Sequence, residues 1–451
     1  MTIIATIIVL GVLIFVHELG HFWAAKWVGI RVERFSIGLG PRVWGFRRGD
    51  TEYVLSAIPL GGYVKMAGMG EEVLEAIEGG GDGTPRQPQE SDFDRKSVWE
   101  RALVISAGVI MNMLFAFVAY SLVAGIWGGQ EPDTDRFAQV QEELLPAGAE
   151  SLAEIPSGAR LVRIGDRSVV HWGDVRRGLT EAPPGPLTVE FDEPAGKVEV
   201  VVPEDVELRT TMAQALNWWT DARILAVQPG SPAAEAGLRE GDLIVGVEGQ
   251  PVTHWWEFRD AVRVRPEEPT EIQIQRDGGE LVRTMTPSAV DERDPRTGEM
   301  RTVGQIGVVQ DATYTFVGMG PLEAVRHGGR ETVAVTGMIL GFLRDLVTGQ
   351  VSPRNLGSVV AIGEMSGQAA QAGAAVFLQF MAFFSINLAI LNLLPIPILD
   401  GGWLVFLGIE AIRGKPVSVE QRIRWSQVGF VVLLGIMALA LGNDFLRLLG
   451  L

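Results

Sequence analysis

The sequence predicts a multi-pass α-helical membrane protein: four transmembrane helices, two exterior α+β domains and a membrane-associated β-hairpin region. Three observations predict this fold class. Apolar residues make up 47% of the 451 residues and the mean hydropathy is +0.21, both high for a soluble chain. Four apolar stretches are long enough to cross a bilayer core of about 30 Å, which takes about 20 helical residues. An internal repeat lies between the second and the third of these stretches.

The charge balance and the absence of cysteine narrow the function. The formal charge is −17, from 38 Lys and Arg against 55 Asp and Glu, so we expect no nucleic acid partner, which would require a basic surface. The chain has no cysteine, which excludes disulfides, thiolate zinc sites, iron–sulfur clusters and a cysteine nucleophile. A metal ion would therefore be held by His, Asp or Glu, and the chain has only 5 His.

The four predicted spans occupy the two ends of the chain. They comprise residues 1–30, 102–128, 372–399 and 425–443. The third helix should break at Pro395 and Pro397, because proline removes a backbone donor and clashes with the preceding turn. The first stretch has no basic region before it and no small-residue cleavage site after it, so we interpret it as a retained span and not as a signal peptide.

Basic residues beside the spans predict the orientation in the lipid bilayer. Five follow the first span and four lie between the third and the fourth: Arg31, Arg34, Arg42, Arg47, Arg48, Arg413, Lys415, Arg422 and Arg424. Such residues accumulate on the cytoplasmic side, so both of these loops should be cytoplasmic. Because each span crosses the bilayer, both termini and residues 129–370 should then lie outside. In a bacterium the chain would sit in the inner (cytoplasmic) membrane, with these parts in the periplasm.

Two connecting segments have distinct compositions. Residues 31–101 begin with apolar β-like runs punctuated by glycine, which predict a β-hairpin on the cytoplasmic side, and continue into a flexible acidic loop from Glu71 to Asp94. We interpret Phe35–Met66 as a membrane-dipping hairpin that pairs with an extended substrate; the alternative is an ordinary cytoplasmic hairpin. Residues 315–370 predict an amphipathic helical connector at the membrane interface.

The exterior region repeats itself at an offset of 83 residues, since Gly158–Pro183 aligns with Gly241–Pro266 and the identical pairs include His171 with His254. Each unit predicts short strands, a turn, a short helix and a further strand. Ile224–Gln250, ILAVQPGSPAAEAGLREGDLIVGVEGQ, resembles the core of PDZ domains. We therefore predict PDZ-like domains at 136–215 and 219–312. They would capture peptide C-termini as an added strand or act only as a steric gate. We interpret the two histidines as structural.

The first span carries the sequence His17-Glu18-Leu19-Gly20-His21. On a helix, positions i and i+4 lie on one face one turn apart, so both imidazoles can reach one Zn²⁺ while Glu18 stands beside the open coordination position. Ionisable groups inside a span cost about 2.5 to 3.5 kcal/mol each on insertion scales. A purely structural role does not explain that cost.

A third ligand should be acidic or imidazole and should reach the same depth, and Asp400 meets both conditions. At 1.5 Å per residue, His17 lies about 22 Å below the outer end of its helix, and the third span delivers Asp400 near its inner end. The interrupted segment NLLPIPILDGG from Asn392 exposes backbone groups that are tolerated only beside protein or a wet cavity. A site is the simplest reason for this interruption.

HELGH, NLLPIPILDGG and the tandem PDZ-like modules are similar to the site-2 protease family of intramembrane zinc metalloproteases, in particular the type with two PDZ domains. The resemblance covers nearly the whole chain. It implies that His17, His21 and Asp400 hold Zn²⁺ and that Glu18 is the general base. It also implies substrate-binding roles for four residues of the third span, Asn387, Asn392, Pro395 and Pro397, although the two asparagines could instead form helix-to-helix hydrogen bonds.

The same resemblance implies that the substrates are single-span membrane proteins already cut on the exterior side, such as anti-sigma factors in a stress response, or signal-peptide remnants. Two other functions compete with this hypothesis. A noncatalytic membrane-anchored PDZ adaptor needs no HExxH motif with a depth-matched aspartate. A metal transporter would need polar residues along other spans, but the second and fourth spans offer only Asn112 and Gln427 as amides. We therefore favour the protease.

Overall fold

The computed structural model describes residues 2–69, 89–228, 230–293, 300–349 and 359–448, so most of the acidic loop predicted between Glu71 and Asp94 lies outside the described residues. The chain divides into two compact units. Residues 1–128 and 318–449 form one, called here the membrane unit, and residues 129–317 form the other, called here the repeat unit. Each unit is described by itself.

The described residues form the following helices and strands. The helices are α1 (Thr2–Trp27), α2 (Val98–Ile126), α3 (Trp172–Thr180), α4 (Val206–Ala215), α5 (Pro232–Glu235), α6 (Trp255–Arg263), α7 (Pro321–Val347), α8 (Val359–Gln371), α9 (Ala374–Leu393), α10 (Asp400–Arg413) and α11 (Val419–Leu448). The strands are β1 (Val32–Arg48), β2 (Thr51–Met66), β3 (Gly129–Pro132), β4 (Phe137–Val140), β5 (Arg160–Ile164), β6 (Arg167–Ser168), β7 (Gly185–Asp192), β8 (Gly196–Val202), β9 (Leu216–Trp218), β10 (Ile224–Val227), β11 (Leu243–Val247), β12 (Gln250–Pro251), β13 (Thr270–Arg276), β14 (Gly279–Met285), β15 (Ser288–Arg293), β16 (Met300–Gln305), β17 (Val308–Gln310) and β18 (Tyr314–Val317).

Among these helices, four have the length and apolar composition needed to cross a membrane: α1, α2, α9 and the part of α11 from Glu420 to Gly442. The predicted set of four apolar helices is therefore confirmed. The third is shorter than expected, because α9 ends at Leu393 and six non-helical residues precede α10. Two prolines within those six residues account for the break, since neither can donate the backbone hydrogen bond that would continue the helix.

The helices α1 and α2 cross at very short range. A β-carbon at Gly20 of α1 would overlap the backbone carbonyl of Ala107 on α2. Lipid provides no hydrophobic force between helices, so close backbone approach at small residues supplies the packing energy instead. This crossing places the HELGH turn of α1 directly against α2.

The strands β1 and β2 form one curled antiparallel sheet with several register shifts. The second half of β1, Arg42–Arg48, pairs with the first half of β2. Residues 34–37 of β1 pair on one side with that same half, at Glu52–Leu55, and on the other side with Gly62–Lys65. Large apolar side chains remain exposed on this sheet; they include Leu39, Val43, Trp44, Phe46 and Ile58. The segment predicted as a hairpin thus consists of two long strands that bend back on themselves. The resulting sheet has an apolar surface.

The predicted connector contains two helices, α7 and α8. The buried residues of α7 recur every three or four positions: Ala324, Gly328, Thr332, Val335 and Ile339. A β-carbon at Gly328 would overlap the Ser121 hydroxyl of α2, and one at Gly125 would lie 3.6 Å from Ala324. The helix therefore runs antiparallel beside α2. An orientation in the plane of the membrane interface does not fit a helix that packs lengthwise along a predicted span.

The repeat unit contains the duplication that the sequence predicts. Each copy has a four-stranded antiparallel sheet, in the order β6-β5-β7-β8 or β12-β11-β13-β14, and a separate two-stranded pair, β4-β9 or β10-β17. Each copy also has its own buried apolar core. The copies differ before their last strand: helix α4 precedes β9, whereas the ribbon β15-β16 precedes β17.

The two equivalent histidines occupy equivalent places, each immediately before a helix. His254 is 1% exposed and its Nδ1 accepts a hydrogen bond from the backbone N–H of Glu257 at the start of α6. Burial lowers the pKa of His254, against the opposing effect of Glu257 and Asp260. His171 lies at the start of α3, with Nδ1 2.9 Å from Asp174 Oδ2. Both side chains thus contact the first turn of the helix that follows.

Candidate metal centre

The two histidines of the HELGH turn lie on one buried face of α1. His17 is 7% exposed and His21 is 6% exposed. Their four-residue spacing places one ring above the other on a helix, and the two Nε2 atoms are 3.2 Å apart. Both rings therefore direct the same nitrogen towards one point.

The third member, Asp400, is the first residue of α10 and follows the break after α9. Two glycines behind it make this position possible. A β-carbon at Gly401 would overlap the Leu393 carbonyl, and one at Gly402 would overlap the Ile396 carbonyl. The start of α10 can therefore fold tightly onto the broken end of α9, and Asp400 Oδ2 comes to lie 3.2 Å from His17 Nε2 and 3.5 Å from His21 Nε2.

These three atoms fit a tetrahedral metal ion. A zinc ion with bonds of about 2.0–2.1 Å separates its ligand atoms by about 3.3–3.4 Å, and the three separations are 3.2, 3.2 and 3.5 Å. Asp400 Oδ2 is buried and accepts no hydrogen bond, which is costly unless an ion compensates. Two imidazole nitrogens and one carboxylate oxygen are a ligand set typical of catalytic zinc sites, in which the protein would supply three ligands and leave the fourth to water or substrate.

Helix α2 contacts both histidine rings. The Val104 carbonyl is 2.8 Å from His21 Nδ1, and Asn112 Nδ2 is 3.3 Å from His17 Nδ1. Between them, a β-carbon at Gly108 would overlap His21 Nε2 and lie 2.7 Å from His17 Cε1. These three residues are spaced by four and form one stripe. Sequence reasoning did not assign them to the site, although the Gly108 and Asn112 spacing of i and i+4 was a visible signal.

A cavity of about 300 Å³ opens in front of the three ligand atoms. Its lining includes Glu18 and the β2 residues Gly61, Gly62 and Tyr63. A β-carbon at Gly62 would lie 3.0 Å from Glu18 Cγ, so the backbone of β2 packs directly onto this side chain. Glu18 and an extended strand therefore share the cavity with the ligand cluster.

The four residues expected to bind substrate are divided by the structure. Asn392 lines the cavity, with Nδ2 3.3 Å from His17 Nε2. Asn387 and Pro395 do not line it, and Pro397 contacts α11 instead: its carbonyl accepts a hydrogen bond from the Ser426 hydroxyl at 3.1 Å. Only Asn392 of the four thus lies beside the ligand cluster.

The chain is similar to known proteins over nearly its whole length. A family profile described as Peptidase family M50 matches residues 5–436. The chain is 37% identical to Protease RseP of Yersinia pestis and 34% identical to Regulator of sigma-E protease RseP of Escherichia coli K12; each alignment covers 98% of both chains. It is also 34% identical, again over 98% of both chains, to a Pasteurella multocida protein named as a zinc metalloprotease.

Proposed function

The chain belongs to peptidase family M50, the site-2 proteases, and we propose that His17, His21 and Asp400 hold the zinc ion of this intramembrane metalloprotease while Glu18 serves as its general base. The observation that carries the proposal is the convergence of three ligand atoms, from two helices far apart in sequence, within 4.8 Å of one another. A noncatalytic adaptor would have no use for this cluster.

Hydrolysis of a peptide bond needs one group that polarises the carbonyl and another that transfers protons. Zinc bound by the three residues supplies the Lewis acid that polarises a peptide carbonyl and activates water. Glu18 follows His17 on the same turn and faces the cavity. Its carboxylate can accept a proton from the attacking water and pass it to the leaving amine, which is a contribution of about 10² to 10⁴ in rate.

A transmembrane substrate must present an extended backbone to this cluster, since a helix engages its carbonyls in internal hydrogen bonds. Extended backbone in lipid is costly without a partner strand, and strand addition to a sheet supplies one. We propose that the Gly62–Met66 part of β2 is that partner. Support comes from its place in the cavity wall, where Gly62, Tyr63, Val64 and Met66 line the same space as Glu18.

The relatives named as regulators of sigma-E suggest the biological substrate. We propose that this chain cuts single-span proteins, such as anti-sigma factors, after a first exterior cleavage, and that signal-peptide remnants are further substrates. We place it in a bacterial inner membrane with the termini and the repeat unit in the periplasm. There the PDZ-like modules would bind exposed peptide C-termini or exclude bulky ectodomains.

Glu18→Gln and Asp400→Ala separate catalysis from metal binding. In detergent, Glu18→Gln should keep its zinc and lose at least about 10²-fold in cleavage of a model single-span substrate, because the base is gone but the ligands remain. Asp400→Ala should lose both zinc and cleavage, because two protein ligands do not hold the ion. Metal analysis and gel-based cleavage measure the two properties.

Asp345→Asn is the matched control, since this carboxylate lies on α7 away from the ligand cluster and forms a partly exposed ion pair with the adjacent Arg344. It should behave as wild type in both measurements. Undiminished cleavage by Glu18→Gln would refute the assigned base, and full zinc content in Asp400→Ala would refute the assigned third ligand.

A further inference from the structure

Asn112 is the one amide of α2 that touches the candidate metal centre. Its side chain is 0% exposed and its Nδ2 lies 3.3 Å from His17 Nδ1, while its Oδ1 is buried without a hydrogen-bond partner. Its backbone carbonyl accepts a hydrogen bond from the Ser385 hydroxyl of α9 at 2.8 Å. Asn112 thus lies where α2 packs against α9, and one end of its amide remains unsatisfied.

The tautomer of the His17 ring decides whether its Nδ1 needs a hydrogen-bond donor or an acceptor from Asn112. A neutral imidazole carries its proton on one nitrogen and a lone pair on the other. Nε2 of His17 is the atom that converges on Asp400 and His21, so it must present the lone pair to a metal ion. The proton then sits on Nδ1 and needs an acceptor, which an amide oxygen provides and an amide nitrogen does not.

Rotation of the Asn112 amide by 180° exchanges its two ends. The oxygen and nitrogen of an asparagine side chain are almost the same in shape, and the hydrogen-bond network decides their order. In the rotated orientation the unsatisfied Oδ1 faces His17 Nδ1 at hydrogen-bond distance. The neighbouring histidine has the same arrangement already, because the Val104 carbonyl lies 2.8 Å from His21 Nδ1.

We propose that Asn112 is a positioning residue of the metal centre: its Oδ1 accepts the Nδ1–H of His17 and holds Nε2 towards Asp400 and His21. The inference rests on the proposed zinc site. Asn112 touches neither the reacting atoms nor the cavity, and it acts through His17. Helix α2 then orients both imidazoles, one through a backbone carbonyl and one through a side chain, and partners of this kind are worth about 10- to 100-fold in metal affinity.

The test compares zinc affinity in three variants of the full-length protein, by competition with a chromophoric chelator. Asn112→Leu has nearly the same volume but no acceptor, and should bind zinc about 10- to 100-fold more weakly than wild type. Asn112→Asp keeps an acceptor oxygen facing His17 and should retain most of the affinity. Ser385→Ala removes the hydrogen bond to the Asn112 backbone but leaves the amide in place, so its zinc affinity should match that of wild type.

The outcomes separate this proposal from the zinc site on which it rests. If wild type itself holds no zinc, the site assignment fails. If wild type binds zinc and Asn112→Leu binds it equally well, the positioning role is overturned while the site stands. A loss of affinity in Ser385→Ala as large as that in Asn112→Leu would also overturn it, because general helix packing would then explain the effect.

A second measurement covers the case in which Asn112→Leu does not fold. Zinc-loaded wild type labelled with ¹⁵N-histidine has only 5 imidazoles to resolve. We expect His17 to carry a hydrogen-bonded proton on Nδ1, and in Asn112→Asp we expect the same pattern. A zinc-loaded His17 protonated on Nε2 would overturn the proposal regardless of any variant.

Discussion

A histidine lies beside a carboxylate in each unit of the molecule, at nearly the same distance. In the membrane unit His17 Nε2 is 3.2 Å from Asp400 Oδ2, and in the repeat unit His171 Nδ1 is 2.9 Å from Asp174 Oδ2. The second pair is local, since its members are three residues apart at the start of one helix. The first joins two distant helices and includes a second histidine. Distance alone therefore does not identify a metal centre; convergence of remote ligands does.

The carboxylates of the two units also differ in what balances their charge. Asp242 of the repeat unit is 1% exposed and accepts hydrogen bonds from Arg276 at 2.6 and 2.7 Å. Asp400 Oδ2 has no such donor. A buried carboxylate with an arginine partner is complete as a structural ion pair, whereas one that faces only imidazole nitrogens is suited to a cation. Three predictions test this contrast.

The largest effect should follow from Gly108→Ala. The added β-carbon would overlap His21 Nε2 and approach His17 Cε1 to 2.7 Å, so at least one ring must move. Displacement of a catalytic group by about 1 Å costs about 10²-fold in rate, and displacement of a ligand weakens the metal site as well. Zinc content and cleavage should both fall, by metal analysis and by turnover of a single-span substrate.

Gly125→Ala is the matched control for that variant. It adds the same methyl group to the same helix, but the new β-carbon would lie an ordinary 3.6 Å from Ala324. Zinc content and cleavage should stay at the wild-type level. Equal losses in the two variants would show that α2 tolerates no methyl group anywhere, and the special contact at Gly108 would be disproved.

An intermediate effect, confined to the repeat unit, should follow from Asp242→Asn. Burial opposes ionisation of Asp242, but hydrogen bonds from Arg276 and from the Arg239 backbone N–H outweigh it and hold its pKa below the usual value. The substitution leaves Arg276 without its counter-charge, at a cost of about 3 kcal/mol. Hydrogen exchange of β11 and β13 in the full chain should accelerate, with zinc content unchanged.

The Asp242 carboxylate also makes the stability of the repeat unit depend on pH. Because its folded pKa is depressed, its stabilisation is fully present above the unfolded value of about 3.9 and is lost as pH falls through the folded pKa. The difference between wild type and Asp242→Asn should therefore shrink in strong acid. A difference that stays constant as the pH falls would contradict the ion-pair explanation.

The smallest effect concerns His254. Its pKa is lowered by burial, so the neutral ring is favoured in the fold. Its stabilisation is present above the unfolded pKa of about 6.5 and is lost as pH falls from there through the folded pKa. His254→Ala should cost about 1 kcal/mol at pH 8, as loss of a helix cap does, and less at lower pH. Hydrogen exchange of α6, corrected for intrinsic rates, measures this.

His171→Ala provides the comparison within the duplicated pair. Its side chain is 25% exposed and contacts Asp174 rather than a backbone donor, so the change should affect α3 by less than about 1 kcal/mol. Neither variant should alter zinc content. Loss of zinc from either one would show that a local histidine–carboxylate pair also takes part in metal binding, and the contrast between the units would fail.

Sequence reasoning succeeded for features that appear as a pattern in one continuous stretch of the chain. Uninterrupted apolar runs predicted the four apolar helices, the offset repeat predicted two modules, which share the strand order of their four-stranded sheets, and two prolines predicted the break before Asp400. It also proposed the three residues whose ligand atoms the structure brings together. Each of these inferences needs only one helix, one repeat or one depth estimate.

The rest depended on contacts that carry no side-chain signature. The Val104 carbonyl contributes to the site through the backbone alone, so the residue type at this position gives no signal. Gly108 contributes by lacking a side chain, and its only trace in the sequence is its spacing from Asn112. The orientation of α7 depends on which partner its buried stripe meets, and a membrane interface and a neighbouring helix favour the same apolar spacing. Pro397 faces α11 because of the turn that follows the break, which the sequence does not specify.

The break between α9 and α10 has an electrostatic consequence. A helix that starts at Asp400 points the positive end of its macrodipole, equivalent to about half an elementary charge, at that carboxylate. The described cavity wall contains no lysine or arginine. The peptide dipoles of α10 thus help keep the aspartate anionic in a low-dielectric setting, without a basic side chain that would repel a divalent cation.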